Sequence, residues 1–219
     1  VVIANENVKA HIPIRSNQIL INTLHGGGAY KKYTPTNKPH WKKMMQEQSA
    51  KYSYFISSCK VASETLIRED FGFKGQIIDS GFPRNDIFFD KQKCLNAKHK
   101  VFLHYNISEN TNVLMYAPTF RESESLDIFD LDIEKLPRIL EEKFGGEWII
   151  FIRGHHRIKK ELKFDVTDRT NIDVSAYSDM QELLCATDIL VTDYSSSIWD
   201  FSLLNRPSLL YVKDLVDYT

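Results

Sequence analysis

The sequence predicts an α/β fold made of two units of parallel sheet with helices covering their faces. Two observations carry this. Short apolar runs alternate along the chain with segments whose apolar residues recur every three or four positions. The alternation occurs on both sides of residue 100, and strands that alternate with helices build parallel sheets. The clearest single unit is Ile189–Val212. There an apolar strand, Ile189-Leu190-Val191, runs into Thr192-Asp193 and three consecutive serines. A helical period follows over Ile198–Leu204, Asn205-Arg206-Pro207 ends it, and Leu209–Val212 begins another strand. Hydroxyl residues at such a strand-to-helix turn supply caps and leave backbone N–H groups able to face an anion.

The other elements follow in order. Gln18–Leu24 reads as a strand leading into Gly26-Gly27-Gly28 and a polar stretch with Pro35 and Pro39. A helix is predicted from His40 to about Tyr52, with Trp41, Met45 and Tyr52 on one side. Tyr54–Ser57 reads as a strand, Val61–Phe71 as a helix stopped by Gly72, and Gln76–Asp79 as a strand. Gly81–Asp86 has turn chemistry. The Lys-rich stretch Lys91–Lys100 is polar, and a connection between domains is expected there. The expected division is 1–98 and 99–219. Asn112–Ala117 is a strand stopped by Pro118, followed by an acidic loop with Glu122, Glu124, Asp127, Asp130 and Asp132. A helix over Pro137–Phe144 closes at Gly145-Gly146, and Trp148–Arg153 is a strand running into Gly154-His155-His156. Ser178-Asp179-Met180-Gln181 is a capping box that opens a short helix toward Cys185.

Composition bounds the function. With 42% hydrophobic and 26% charged residues, the 219-residue chain is an ordinary globular protein. A formal charge of -1 argues against a nucleic-acid binder that relies on a basic face. No apolar run approaches the ~18 residues of a membrane span, and the start lacks the form of a secretory signal. Cys59, Cys94 and Cys185 have neither disulfide-framework nor metal-ligand spacing and are expected as buried or half-buried free thiols. A cytoplasmic setting follows. The chain has no initiator Met and stops just after a strand, so it reads as a piece of a longer protein.

Ionisable groups gather at predicted strand ends, where open α/β sheets bind ligands. His25, between Leu24 and the glycines, is either a base for a hydroxyl or a cap on a tight turn. Lys31 and Lys32 either meet an anion or face solvent. Arg153 and His155 together suit a phosphate, and only one of His155 and His156 is expected to enter a site. Thr119 and Arg121 follow another strand end, although Arg121 in a surface ion pair is an equal alternative. Phe88, Phe89 and Trp148 are most simply core.

These motifs resemble a known family. Asn22–Lys31, Gly81–Asp86, Tyr116–Arg121, Arg153–His155 and Thr192–Ser196 are similar, in order, to motifs of the CDP-glycerol glycerophosphotransferases, the bacterial teichoic-acid and capsule polymerases. The resemblance implies a GT-B fold, two Rossmann-like lobes facing a cleft. The first lobe would hold the acceptor side and the second the CDP-polyol donor. It implies transfer of glycerol phosphate from CDP-glycerol to an acceptor hydroxyl, with release of CMP and no required metal or cofactor. His25 matches the acceptor base and His155 the donor-side histidine. Thr119, Arg121, Ser195 and Ser196 fall on phosphate-binding positions, with Arg153, Asp193 and Lys31 beside them. Two departures are Leu24, where the family often has Trp, and His156, where it often has Pro. The acceptor would be a polyol phosphate or glycan, lipid-linked at the inner face of the membrane. Membrane attachment would reside outside this chain. CDP-ribitol is the alternative donor, and a non-catalytic nucleotide-binding module is the alternative outside the class.

Overall fold

The computed structural model describes residues 1–9, 11–27, 39–119, 131–154, 170–213 and 215. It divides into two compact units, Val1–Asp86 and Ile87–Thr219.

The first unit holds a four-stranded parallel sheet in the order β1 (Val2–Ala4), β2 (Leu20–Asn22), β3 (Tyr54–Ile56) and β4 (Gln76–Ile78). β1 was not anticipated. The edge strand is three residues long and largely exposed, with too little pattern to be read. Helix α1 (Pro39–Ser49) and a helix over Ala62–Asp70 connect the strands. The latter ends with a wide turn in which Phe71 N–H donates to the Leu66 carbonyl at 3.0 Å. Gly72 then takes φ +62°, where a Cβ would meet Gln46 Cγ at 2.8 Å, so this stop needs glycine. Leu20, Met45, Tyr52, Phe55, Ile67, Phe71, Phe73 and Phe82 form the core, with Phe55 and Phe73 ring centres 4.6 Å apart. Met45 and Tyr52 are buried as expected, whereas Trp41 is 39% exposed.

The second unit holds a five-stranded parallel sheet. Its strands are β5 (Asn112–Ala117), β6 (Trp148–Ile152), β7 (Asn171–Asp173), β8 (Ile189–Thr192) and β9 (Ser208–Leu210), in the order β7-β6-β5-β8-β9. This is the doubly wound arrangement, with the direction of strand addition reversing between β5 and β8. Side chains alternate across the sheet. Val113, Met115 and Ala117 join one core with Phe102, Ile149, Phe151, Leu184 and Phe201. Leu114 and Tyr116 join the opposite core with Ile133, Leu140, Ile150 and Ile152. Helices α2 (Lys91–Tyr105) and α4 (Met180–Ala186) pack together over the first face, and α3 (Leu136–Phe144) packs beside β6 on the second. A further helix, α5 (Ser197–Ser202), follows β8.

Several expectations change. The Lys-rich stretch is not a connection but the first part of α2, so the units divide at Asp86/Ile87 and not near residue 98. Asp90 starts the helix by accepting from Lys93 N–H at 3.0 Å, and Ala97, Val101 and Phe102 tie it into the second core. The start of α4 is capped by Asp179, which accepts from Glu182 N–H at 3.1 Å, one residue later than the capping box suggested. Phe88 and Trp148 are buried, but Phe89 is 74% exposed. Cys185 is buried and Cys94 half-buried, whereas Cys59 is exposed. No helix among the described residues is long and apolar enough to cross a membrane.

Candidate active site

In the first unit, the carboxyl ends of β1 and β2 are laced together beneath His25. Thr23 N–H donates to the Ala4 carbonyl at 2.8 Å, extending the β1–β2 pairing by one step. Asn22 is fully buried; its Oδ1 accepts from Leu24 N–H at 2.8 Å, a turn that asparagine side chains form readily. Its Nδ2 donates to Asn7 Oδ1 at 2.9 Å. Leu24 sits at φ +53°, a left-handed conformation that costs a non-glycine residue about 1–2 kcal/mol. Burial of its side chain in the core and the Asn22 bond offset that strain. The chain then turns outward and exposes His25, whose Nδ1 lies 3.2 Å from the Asn5 carbonyl. A carbonyl only accepts, so Nδ1 carries the proton in this contact and Nε2 is the basic nitrogen. In the neutral ring, Nε2 is then the nitrogen able to accept a proton.

The adjacent strand ends carry a second polar group that sequence reading missed. Ser63 Oγ lies 2.7 Å from Asp79 Oδ1 and 2.8 Å from the buried Ser57 Oγ, joining the ends of β3 and β4. The only signal for it was a polar residue, Ser57 or Asp79, directly after each apolar run.

In the second unit, the loops after β5 and β8 meet at the switch point. Thr192 Oγ1 donates to the Ala117 carbonyl at 2.6 Å. Asp193, 4% exposed, accepts from Thr119 N–H at 2.9 and 3.0 Å through its two oxygens. It also accepts from the Thr119 hydroxyl, and from Tyr194 N–H at 2.6 Å. Thr119 and Asp193 are therefore brought together, bonded to one another. Ser195 Oγ lies 2.9 Å from Ser197 Oγ and accepts from Ser197 N–H at 3.3 Å, so it acts as a local cap for α5. Ser196, at the cap position, makes no capping bond with its side chain. The buried Asp200 occupies the first turn of α5, and Gln181 Nε2 donates to it at 3.3 Å.

Arg153 follows β6. Its backbone N–H continues the sheet to the Tyr116 carbonyl at 2.9 Å. Its Nη1 donates to the carbonyls of Val174 and Tyr177 at 3.0 and 2.9 Å, clasping the loop after β7. Burial pushes the guanidinium below its usual pKa range, while Tyr105, Asp173 and Asp179 act in the opposite sense. Gly154 N–H donates to Ser175 Oγ at 2.8 Å on the same loop. Tyr177 is raised by burial and by its hydrogen bond to Glu182 at 2.6 Å. Lys31, Arg121, His155 and His156 lie outside the described residues, as does most of the acidic loop.

Comparison with known proteins fits this arrangement. The teichoic acid poly(glycerol phosphate) polymerase of Staphylococcus epidermidis is 27% identical over 228 aligned residues, covering 99% of this chain and 31% of that protein. The teichoic acid poly(ribitol-phosphate) polymerase of Bacillus spizizenii is 30% identical, covering 94% of this chain and 34% of that protein. A variant of the wall teichoic acid polymerase TagF superposes with a TM-score of 0.83 at 27% identity. That match covers 99% of this chain and 55% of the TagF chain. A TagF structure obtained after a soak with CDPG superposes with a TM-score of 0.81. The chain thus spans about a third of the two polymerases and just over half of the TagF chain. The likeness to TagF and the two parallel sheets bear out the GT-B-like class. The profile of one family, described as CDP-glycerol:poly(glycerophosphate) glycerophosphotransferase, matches residues 1–219, and the chain belongs to that family.

Proposed function

We propose that the protein containing this chain transfers glycerol phosphate from CDP-glycerol to a hydroxyl at the end of a growing teichoic-acid-like polymer. The observation that carries this reading is the state of His25: exposed at a carboxyl edge, with Nδ1 turned to the Asn5 carbonyl and Nε2 basic. Nε2 takes the proton of the acceptor hydroxyl, whose oxygen forms a bond to the phosphorus bearing glycerol. The phosphoanhydride bond to CMP breaks, and CMP leaves with the electron pair. The charge growing on CMP calls for donors held in place beforehand. We assign these to the second unit: the hydroxyls of Ser195 and Ser196, with Arg121 and His155 as further cationic groups; Lys31, which belongs to the first unit, is assigned as an additional cation for the anionic substrate. Thr119, Asp193 and Arg153 fix the loops that carry them. The acceptor is a lipid-linked polyol phosphate or glycan, and the protein works at the cytoplasmic face of the membrane through parts outside this chain.

A ribitol-phosphate transferase is the second reading, favoured by the 30% identity to the poly(ribitol-phosphate) polymerase. The test measures CMP release by the full-length protein from CDP-glycerol and, in parallel, from CDP-ribitol. His25→Ala should lower turnover by about 10²–10⁴-fold and leave donor binding intact, because a base on the acceptor side has no contact with the nucleotide. Full turnover by His25→Ala, or equal loss of donor binding, would refute the role given to it.

A further inference from the structure

An exposed imidazole does not by itself hold one ring nitrogen toward a particular carbonyl. The three residues before His25 are each tied down. Asn22 Oδ1 accepts from Leu24 N–H at 2.8 Å, Asn22 Nδ2 donates to Asn7 Oδ1 at 2.9 Å, and Thr23 N–H donates to the Ala4 carbonyl at 2.8 Å. Ala4, Asn5 and Asn7 all belong to β1 or the loop after it. The carbonyl that meets His25 and the amide that holds Asn22 therefore move as one piece.

We propose that Asn22 is a positioning residue for the general base. Resting on the reading of His25 given above, it holds Leu24 in the left-handed conformation and so presents His25 with Nδ1 on the Asn5 carbonyl and Nε2 toward the acceptor. A strand that simply ended would need no fully buried amide at its last position, and the left-handed turn at a leucine has no other side-chain bond supporting its N–H among the described residues. The amide is also neutral. It clamps the turn without placing a charge beneath the imidazole, whereas a charge there would alter the basicity of His25.

The test is steady-state CMP release by the full-length protein with CDP-glycerol and a polymer acceptor. Asn22→Ala should lower kcat by about 10–100-fold, the scale of a displaced catalytic group, with KM for CDP-glycerol changed less than about twofold. Asn22→Asp keeps an acceptor for Leu24 N–H but places a carboxylate beneath the imidazole, so it should recover only part of the rate and move the acid limb of the pH–rate profile to higher pH. In a His25→Ala background, Asn22→Ala should lower the residual rate no further, because both changes remove one function. Wild-type kcat for Asn22→Ala beside an inactive His25→Ala overturns this inference and leaves the proposed function standing. Full activity of His25→Ala overturns both. A loss that persists in the His25→Ala background, or that falls on KM for the donor, shows general loosening and also overturns the inference. If Asn22→Ala loses its cooperative thermal transition, Asn7→Ala decides: a kcat loss of about 3–10-fold supports the proposal, and none refutes it.

Discussion

Removing the Asp193 carboxylate should unfasten the switch point of the second unit. The side chain is 4% exposed and receives Thr119 N–H, the Thr119 hydroxyl and Tyr194 N–H, so it joins the loop after β5 to the loop after β8. Hydrogen bonds to a charged group contribute about 1.5–3 kcal/mol each. Their full sum overstates the loss, since Thr119 is half-buried and its groups regain water on opening. Asp193→Ala also relieves the cost of burying a charge. A net loss of about 2–4 kcal/mol in local stability remains. Asp193→Asn keeps one acceptor oxygen but turns an NH₂ toward N–H donors, and should lose about 1–2 kcal/mol. The direct measurement is amide hydrogen exchange in the segment holding Thr119 and in that holding Tyr194. Exchange should quicken about 30- to 700-fold in Asp193→Ala, following 1.4 kcal/mol per factor of ten. A change under about threefold would show that the carboxylate does not hold these loops together.

Three further outcomes follow from other polar bonds of the second unit. Arg153→Met should lower the stability of the second unit by about 1.5–3 kcal/mol, since the carbonyls of Val174 and Tyr177 lose a charged donor. Arg153→Lys should recover only part of this, because an ammonium does not reproduce the guanidinium fork, and thermal unfolding distinguishes the two. Burial raises the Glu182 carboxyl, but hydrogen bonds from Lys100 and Tyr177 outweigh it and hold the folded-state pKa below the ordinary value. The stability from ionised Glu182 is therefore present above about pH 4.3 and lost as pH falls through the folded pKa. Wild type and Glu182→Gln should differ in melting temperature at neutral pH and converge in acid; a constant difference would refute the linkage.

The central strands were legible because a parallel sheet covered on both faces requires near-continuous apolar runs. β5 and β6 meet that requirement, with Val113–Ala117 and Trp148–Ile152 all buried. Among the edge strands only β4, read as Gln76–Asp79 and found at Gln76–Ile78, was placed closely. β1 and β7 went unread, and β9, expected over Leu209–Val212, is Ser208–Leu210 and exposed throughout. α2 was hidden because most of its surface is Lys, Gln, Asn and His, and only Ala97, Val101 and Phe102 are buried. At the candidate site, sequence located polar groups at strand ends but gave no sign of where they point. Buried polar groups must find partners; a neighbouring loop satisfies Arg153 as well as a phosphate does, and it satisfies Asp193 as well as a donor on a ligand would. The Asn22–Asn7 pair had no signal, since its members lie fifteen residues apart on different strand ends.

How the second unit uses its polar groups decides which residues are left to hold a donor. A nucleoside diphosphate brings negative charge that cations and N–H groups must meet. Thr119 commits its N–H and hydroxyl to Asp193, and Tyr194 commits its N–H to the same carboxylate. Arg153 commits Nη1 to two carbonyls, and the buried Asp200 already lies at the start of α5. Charge complementarity must then come chiefly from groups not spent on the scaffold. Of the cations that the family resemblance singles out, Arg121 follows the same strand end as Thr119. Arg121→Ala should therefore weaken CDP-glycerol binding more than Arg153→Met does, by about 1.5–3 kcal/mol, the scale of a lost charged hydrogen bond. It should leave the melting temperature near that of the wild type. Calorimetric titration of both full-length variants, each checked for its thermal transition, reads the order directly. If Arg153→Met proves the more damaging to donor affinity while remaining as stable as the wild type, the guanidinium of Arg153 serves the ligand and not the loop.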